Sequence, residues 1–432
     1  MIPQKKVEEQ NLFELYFDYV KDTESPLLFH RWSLITCLGA MLGRQVWIPF
    51  GSFRIFPNQY VMLIGDPGAR KSAAIKIAKK LVGKAGYDKF SAEKTTKEKF
   101  LLDLEGAEDA SDAQVSNQTV MENLFGPGAS GSSDPREVFI VADEFNDFMR
   151  CGDLEFHSML GALWDYDDET TLYKQRLKNS KSIAIYQPTI NLLGGNTHTG
   201  FAEMFPPQAI GQGFLSRMLL VFSEPSGRKI AFPEPPPPLV EAKLLKFLEE
   251  IKTKMSGPMV LEQKAKDILH ILYNQYQGFT DVRFTSYFTR RYTHLLKMCI
   301  ICAAVKQKMR IGEREVILAN TILNYTEHFM PKALGEFGKA KNADVASKIL
   351  TILQKKVIPT DTPEIWKQVN SDLNDQQELD KILAGLNVAG KIQWVKRTAN
   401  GTQGYLIVRK ALGNGLLYTD FSWLREYDVV KV

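Results

Sequence analysis

Apolar positions near the start of the chain recur at helical spacing in "NLFELYFDYV", and a denser apolar run follows in "FHRWSLITCLGAMLGRQVWI". Together they predict two helices and then a short hairpin or strand around "VWIPFGSFRIFP". The pattern changes next to a short apolar strand, a glycine loop and an amphipathic helix in "YVMLIGDPGARKSAAIKIAKKLV". Mixed helical sequence leads to "GPGASGSSDPRE", whose glycine, serine and proline content predicts a flexible surface loop. Beyond it, "VFIVADE" and "TINLLGGN" are brief aliphatic runs that end in polar residues, the pattern of buried strands in a parallel sheet. Strands alternating with helices in this way define an α/β core.

"AFPEPPPPLVEA", residues 231–242, interrupts that alternation, because consecutive prolines favour a stiff extended connector over a helix or central strand. Residues 241–340 then carry helical periodicity almost throughout, and predict a helical subdomain. Residues 343–410 contain three helical stretches followed by "KIQWVKRTANGTQGYLIVRK", a hairpin turning at Asn400-Gly401. Three helices and a hairpin suggest a winged helix. The expected organisation is an N-terminal helical segment (1–55), an α/β core (56–230), a proline linker with a helical subdomain (231–342), the winged helix (343–410) and a tail (411–432).

Composition narrows the class. With 432 residues, 44% hydrophobic and 24% charged, the chain can bury a large core, and its net charge of +4 is too small to hold nucleic acid except through a local basic patch. Of the four cysteines, Cys299 and Cys302 form a C-x-x-C inside "LLKMCIICAAVK", an apolar run that reads as helix packing rather than a metal site. No signal-peptide pattern and no uninterrupted apolar stretch of about 18 residues occurs, so a cytoplasmic protein without membrane contact is expected.

The chemistry begins in "GDPGARKS". A phosphate-binding loop needs glycines to curl backbone N–H groups toward the phosphates, a lysine to reach the outer ones and a serine to hold magnesium. Gly65, Gly68, Lys71 and Ser72 stand at those offsets, while Arg70 takes the position of the last glycine. A non-glycine fits there if its backbone is near helical and its side chain points outward. Some seventy positions on, Asp143 and Glu144 end an apolar strand, which suits an aspartate coordinating magnesium and a glutamate polarising the attacking water.

These segments resemble one family. "GDPGARKS" looks like the nucleotide loop of minichromosome-maintenance helicases, which also accept a non-glycine before the lysine. "ADEFNDFM" is similar to that family's acidic strand end, and "GFLSRMLLVF" to its Leu-Ser-Arg-Phe segment. The resemblance spans residues 55–225, and "PLLFHRWSLITCLGAMLGR" is similar to phage and plasmid helicase-like proteins. It implies an AAA+ P-loop core with a parallel sheet, a helical lid subdomain and a C-terminal winged-helix domain. It also implies ATP held by Gly65, Asp66, Pro67, Gly68, Ala69, Arg70, Lys71 and Ser72, with Mg2+ at Ser72 and Asp143. Glu144 would polarise the water and Asn196 would be the polar sensor, with Thr197 as the alternative. Arg217 would be a finger acting on a neighbouring subunit's ATP, and Arg290 or Arg291 a further sensor arginine.

Between the acidic and sensor strands, "TLYKQRLKNSKSIAIYQP" gathers Lys174, Arg176, Lys178 and Lys181 around a turn at Asn179-Ser180. The resemblance implies a hairpin lining the channel of a homo-oligomeric ring, a hexamer, where lysines and arginines neutralise phosphates of single-stranded DNA without reading sequence. Tyr173 could stack on a base or pack in the fold. That family's N-terminal DNA-binding barrel and zinc module have no counterpart in residues 1–55, so DNA entry would depend on the ATPase module or on a primase or loader. The expected activity is an ATP-dependent DNA helicase or translocase in replication of a phage or mobile element, in the host cytoplasm. The rival readings are a loader or remodeller acting on a protein partner, and a non-catalytic nucleotide-binding scaffold.

Overall fold

A computed structural model describes residues 11–106, 135–167, 172–175, 183–205, 213–276, 281–335, 343–356, 358–373, 375–388, 391–396, 403–407 and 417–425. Most of the glycine- and serine-rich loop expected at 126–137 lies outside them, as does the turn expected at Asn400-Gly401. The chain divides into two compact units, one of residues 1–273, 286–335 and 418–432, the other of 274–285 and 336–417.

In the first unit the hairpin expected near residue 50 is present as β1 (Val46–Phe50) and β2 (Phe53–Ile55). The main sheet follows, built from β3 (Tyr60–Ile64), β4 (Glu137–Ala142), β7 (Thr189–Asn196) and β8 (Met218–Phe222). A small hairpin, β5 (Tyr173–Gln175) and β6 (Ile183–Ile185), precedes β7. The sheet runs β4-β7-β3-β8, and every pairing is parallel. Residues 89–91 add one further parallel bridge outside β4, with the Phe139 N–H donating to Lys89 O at 2.8 Å and Ser91 N–H to Phe139 O at 3.0 Å. Every residue of β3, β7 and β8 is buried, which explains the apolar sequences of β3 and β8; β7 also buries Thr189, Asn191 and Asn196.

The helix Leu27–Leu42 is buried at every residue from Leu28 to Leu42. It packs on the helix Lys71–Lys84 and on β7, so it is part of the sheet's covering rather than a separate N-terminal segment. Its sequence is apolar on nearly all sides, the mark of a helix with no solvent face. Of residues 231–342, expected as a proline linker with a separate helical subdomain, 231–273 and 286–335 likewise belong to the compact unit of the sheet, and 274–285 belong to the other unit. The helix Glu313–Leu334 lies on β8 and against the helix Arg291–Ala304, and Trp32 Nε1 donates to Thr326 Oγ1 at 2.8 Å. Cys299 and Cys302 are free and buried in the helix Arg291–Ala304, as the apolar reading expects. Among the described residues no helix is long and apolar enough to cross a membrane.

The second unit contains the helices Ala343–Lys355, Thr362–Val369 and Gln376–Val388 and the antiparallel pair β9 (Ile392–Lys396) and β10 (Gln403–Ile407). Ile349, Leu353, Ile365, Leu379 and Leu383 form its core. Thr360 bridges to Tyr405 through a pair of backbone hydrogen bonds, 3.0 and 2.8 Å, adding a third line to the hairpin.

Because the main strands are parallel, their C-terminal ends share one edge, where open α/β sheets bind ligands. Ile64 is level with both Asn196 and Phe222, and Tyr60 is level with Met218. The loops after β3, β4 and β7 therefore meet at one edge, and Arg217, just before β8, lies at the other.

Candidate nucleotide site

The loop Gly65–Arg70 leaves the centre of the sheet at the positive end of the helix Lys71–Lys84. Gly65 is buried against the end of β8. A Cβ there would stand 3.0 Å from the carbonyl oxygen of Ser223 and 3.3 Å from the Ala69 side chain. Gly68 and Arg70 both have left-handed backbones, φ +84° and +61°, and curl the loop around Ala69. Asp66, Pro67 and Gly68 are exposed at its tip, while Ala69 is buried.

Arg70 departs from expectation in one respect. Its side chain does point outward, 57% exposed and paired with Glu24 at 2.6 Å. Its backbone, however, is left-handed rather than near the ordinary helical region. Glycine takes that conformation freely, whereas an L-residue gives up about 1–2 kcal/mol. Two contacts hold it there: Glu24 grips the guanidinium, and Ser25 Oγ donates to the Arg70 carbonyl oxygen at 2.7 Å. Arg70→Gly should therefore change stability by less than about 1 kcal/mol, since relief of strain offsets the lost surface pair. Arg70→Val, β-branched in a left-handed position, should lose about 1 kcal/mol or more. Urea unfolding of the two variants checks both.

Lys71 folds into the curl. Its ammonium donates to the carbonyl oxygens of Gly65 at 2.7 Å and Asp66 at 3.1 Å. The residue is only 6% exposed. Burial pulls its pKa below the usual lysine value, while the charges of Glu144 and Asp66 act in the opposite direction. The helix that Lys71 opens has no side-chain cap on its first turn. A desolvated ammonium and uncapped helix N–H groups thus converge on one spot, a donor set that fits a polyphosphate. Ser72 follows, half-buried.

The acidic strand end stands beside this loop. Lys76, four residues past Ser72 on the same helix, reaches Asp143 Oδ2 at 2.6 Å, which raises the lysine's pKa through that hydrogen bond. Glu144 is exposed. Among the described residues no three carboxylate, histidine or cysteine side chains gather to hold a metal by themselves. Ser72 and Asp143 fit the manner of Mg2+, which binds through one or two protein oxygens together with substrate phosphates.

Asn196, at the end of β7, is buried and oriented on both sides. Its Nδ2 donates to Asn146 Oδ1 at 2.8 Å, and its Oδ1 accepts from the Thr197 N–H at 2.9 Å. Asn146 in turn donates to Gly200 O at 3.0 Å. Sequence reasoning misses Asn146, although it stands in the polar pair Asn146-Asp147 that follows Phe145. Thr197 caps the helix His198–Met204 through its hydroxyl, which leaves Asn196 as the polar group at the strand end.

Gly195 permits this closeness, because a Cβ there would lie 2.4 Å from the backbone oxygen of Asp143. Gly195→Ala should force the two strand ends apart and destabilise the fold by about 1–3 kcal/mol. Thermal or urea unfolding measures that loss.

At the opposite edge, Arg217 ends a short 3₁₀ turn, Leu215–Arg217. Its Nη1 donates to Gly213 O, and its buried Nε has no hydrogen-bond partner among the described residues. Burial lowers its pKa from the usual arginine value; the nearby Arg290 acts the same way, and Asp165 opposes both. Arg290 pairs with Asp165 at 3.1 Å. Arg291, the other candidate sensor, is buried and bound to Glu327 at 2.9 Å and Asn320 at 2.8 Å. That network commits Arg291 to the packing of two helices, so Arg290 alone of the two can meet a ligand.

Arg217 immediately precedes Met218, which is level with Tyr60, so it stands about six residues back along the strand direction from Gly65. At about 3.3 Å per residue the two are roughly 20 Å apart along the strands, beyond the reach of a guanidinium. Arg217 therefore cannot touch a phosphate held by its own chain's loop.

Of the basic hairpin, Lys174 lies on β5 and is exposed. Arg176, Lys178 and Lys181 lie outside the described residues. Tyr173 meets Tyr166 edge-on at 6.1 Å, a packing contact. The chain matches no known protein family, and no curated protein matches it in sequence.

Proposed function

We propose that the chain is an ATP hydrolase of the AAA+ class, a ring-forming DNA helicase or translocase similar to minichromosome-maintenance enzymes, serving replication of a phage or mobile element. The observation that carries this reading is the separation of roles between the two edges of one sheet. Lys71, Asp143, Glu144 and Asn196 gather at the C-terminal edge, and Arg217 with Arg290 stands at the other, out of reach of its own loop. Such an arrangement serves hydrolysis only if a second copy supplies Arg217. The central position of the phosphate-loop strand supports an AAA+ core, the helices from Pro238 to Leu334 would serve as its lid, and the three helices and hairpin of the second unit support a winged helix.

In this reading the curled loop and Lys71 grip the β- and γ-phosphates of ATP. Ser72 and Asp143 would hold Mg2+, which would supply charge neutralisation when bound. Glu144 accepts the proton of the attacking water as general base, and Asn196, fixed by Asn146, orients that water. Arg217 of the neighbouring copy stabilises the charge that develops on the transferred phosphoryl group. Lys174 on β5, together with Arg176, Lys178 and Lys181, would neutralise phosphates of single-stranded DNA in the channel.

ATP turnover measured with and without single-stranded DNA tests the reading. We expect several-fold stimulation, weakening as salt rises. Turnover indifferent to DNA favours a loader acting on a protein, and nucleotide binding without turnover favours a scaffold.

A further inference from the structure

The β1–β2 hairpin ends in two exposed aromatic residues. Phe50 and Phe53 stand opposite each other across the turn Gly51-Ser52, 43% and 65% exposed. Phe50 adjoins Tyr292 at 6.3 Å between ring centroids, and Tyr292 adjoins Tyr273, itself 65% exposed, at 4.8 Å. Tyr292 lies in the first turn of the helix Arg291–Ala304, whose N-cap is Arg290. Contiguous exposed rings on a folded protein mark an interaction surface.

The chemistry of the patch suits a protein partner better than nucleic acid. The cations around it are engaged: Arg54 and Arg44 with Asp167, and Arg290 with Asp165. A nucleic-acid groove needs cations available along a backbone path. Aromatic surfaces without such cations are suited to extended proline-rich segments, which lose little entropy on docking.

This chain displays such a segment. Residues 231–235, Ala-Phe-Pro-Glu-Pro, are all exposed, with Phe232 at 90%. The strap starts beside the phosphate loop: the Ile230 N–H donates to Glu24 Oε1 at 2.8 Å, and Glu24 holds Arg70.

We propose that the Phe50–Phe53 tip and Tyr273 of one copy dock on the proline strap around Phe232 of a second copy, in a head-to-tail contact that brings Arg217 to the neighbour's phosphate loop. The head-to-tail sense rests on the reading of Arg217 as a residue acting in trans. Such a heterologous contact joins two different surfaces and closes into a ring when the rotation between copies allows it.

Cysteine cross-linking tests the contact. Cys151 is the exposed cysteine of the chain, and the other three are buried, so the background is Cys151→Ser. Phe53→Cys and Phe232→Cys proteins are prepared separately, mixed, and treated with a mild oxidant. The expected product is a mixed disulfide dimer, formed about tenfold or more faster than either protein couples with itself. Preferential coupling of Phe53→Cys with itself, or no mixed dimer, overturns the proposal.

Sedimentation of the Phe50→Ser/Phe53→Ser protein should show self-association weakened about tenfold or more, and unchanged association also overturns it. Nucleotide binding to the same preparations is read separately. A mixed dimer that binds no ATP leaves this contact standing and sinks the ATPase reading. A monomer that binds and cleaves ATP overturns this contact and the in-trans role of Arg217, and leaves ATP hydrolysis standing.

Discussion

Replacing Arg217 with alanine is expected to slow ATP turnover by about 10³- to 10⁵-fold, or roughly 4–7 kcal/mol of transition-state stabilisation, while ATP binding changes only a few-fold. The split follows from distance. The Arg217 side chain is roughly 20 Å along the strands from its own loop, so it contributes nothing to binding within one chain. In the assembly its guanidinium would meet charge that grows only as the γ-phosphoryl group departs. Loss of fold does not compete as an explanation. Arg217 is desolvated, its Nε has no hydrogen-bond partner among the described residues, and Arg290 repels it, so the alanine variant should be as stable as the native chain or slightly more so. Turnover, equilibrium binding of a fluorescent ATP analogue and a thermal melt on one preparation separate the three quantities.

Glu144→Gln is expected to lower turnover by about 10²- to 10⁴-fold, the usual worth of a general base. The amide keeps the size of the carboxylate but cannot take a proton. Glu144 is exposed, so its replacement costs no packing. Its charge also supports the ammonium of Lys71, and loss of that support should ease deprotonation of the lysine at high pH. ATP should therefore bind to the variant and remain uncleaved in single-turnover assays. Undiminished cleavage would assign the base to another group.

Much of this site can be read along the chain because its parts are local. "VMLIGDPGARKS" contains its own strand, its own turn residues and its own lysine, and "TINLLGGN" ends in the side chain that reaches the site. What the sequence hides are contacts between distant segments. Nothing near Arg70 announces a left-handed backbone; the clamp that holds it comes from Glu24 and Ser25, some 45 residues earlier. The Asn146–Asn196 bond spans 50 residues, and periodicity along one segment carries no information on such pairs.

The same limit applies to the helices. Spacing identifies them across 241–340, yet which of them covers β8 depends on the three-dimensional path, and most of the expected separate subdomain, residues 231–273 and 286–335, joins the unit of the sheet. One signal was present for Leu27–Leu42, whose lack of a polar face already implied burial on all sides. Arg290 and Arg291 are adjacent and alike in sequence, and only the Glu327 carboxylate under one of them tells them apart.

The central claim is that one copy's phosphate loop is completed by another copy's arginine. Mixing Arg217→Ala protein with Lys71→Ala protein tests it most directly. Each is inactive alone, but a mixed assembly contains interfaces with an intact loop on one side and an intact arginine on the other. ATP turnover should rise with the mixing ratio to a maximum near equal amounts. Turnover that stays at the level of the separate variants at every ratio would contradict the account.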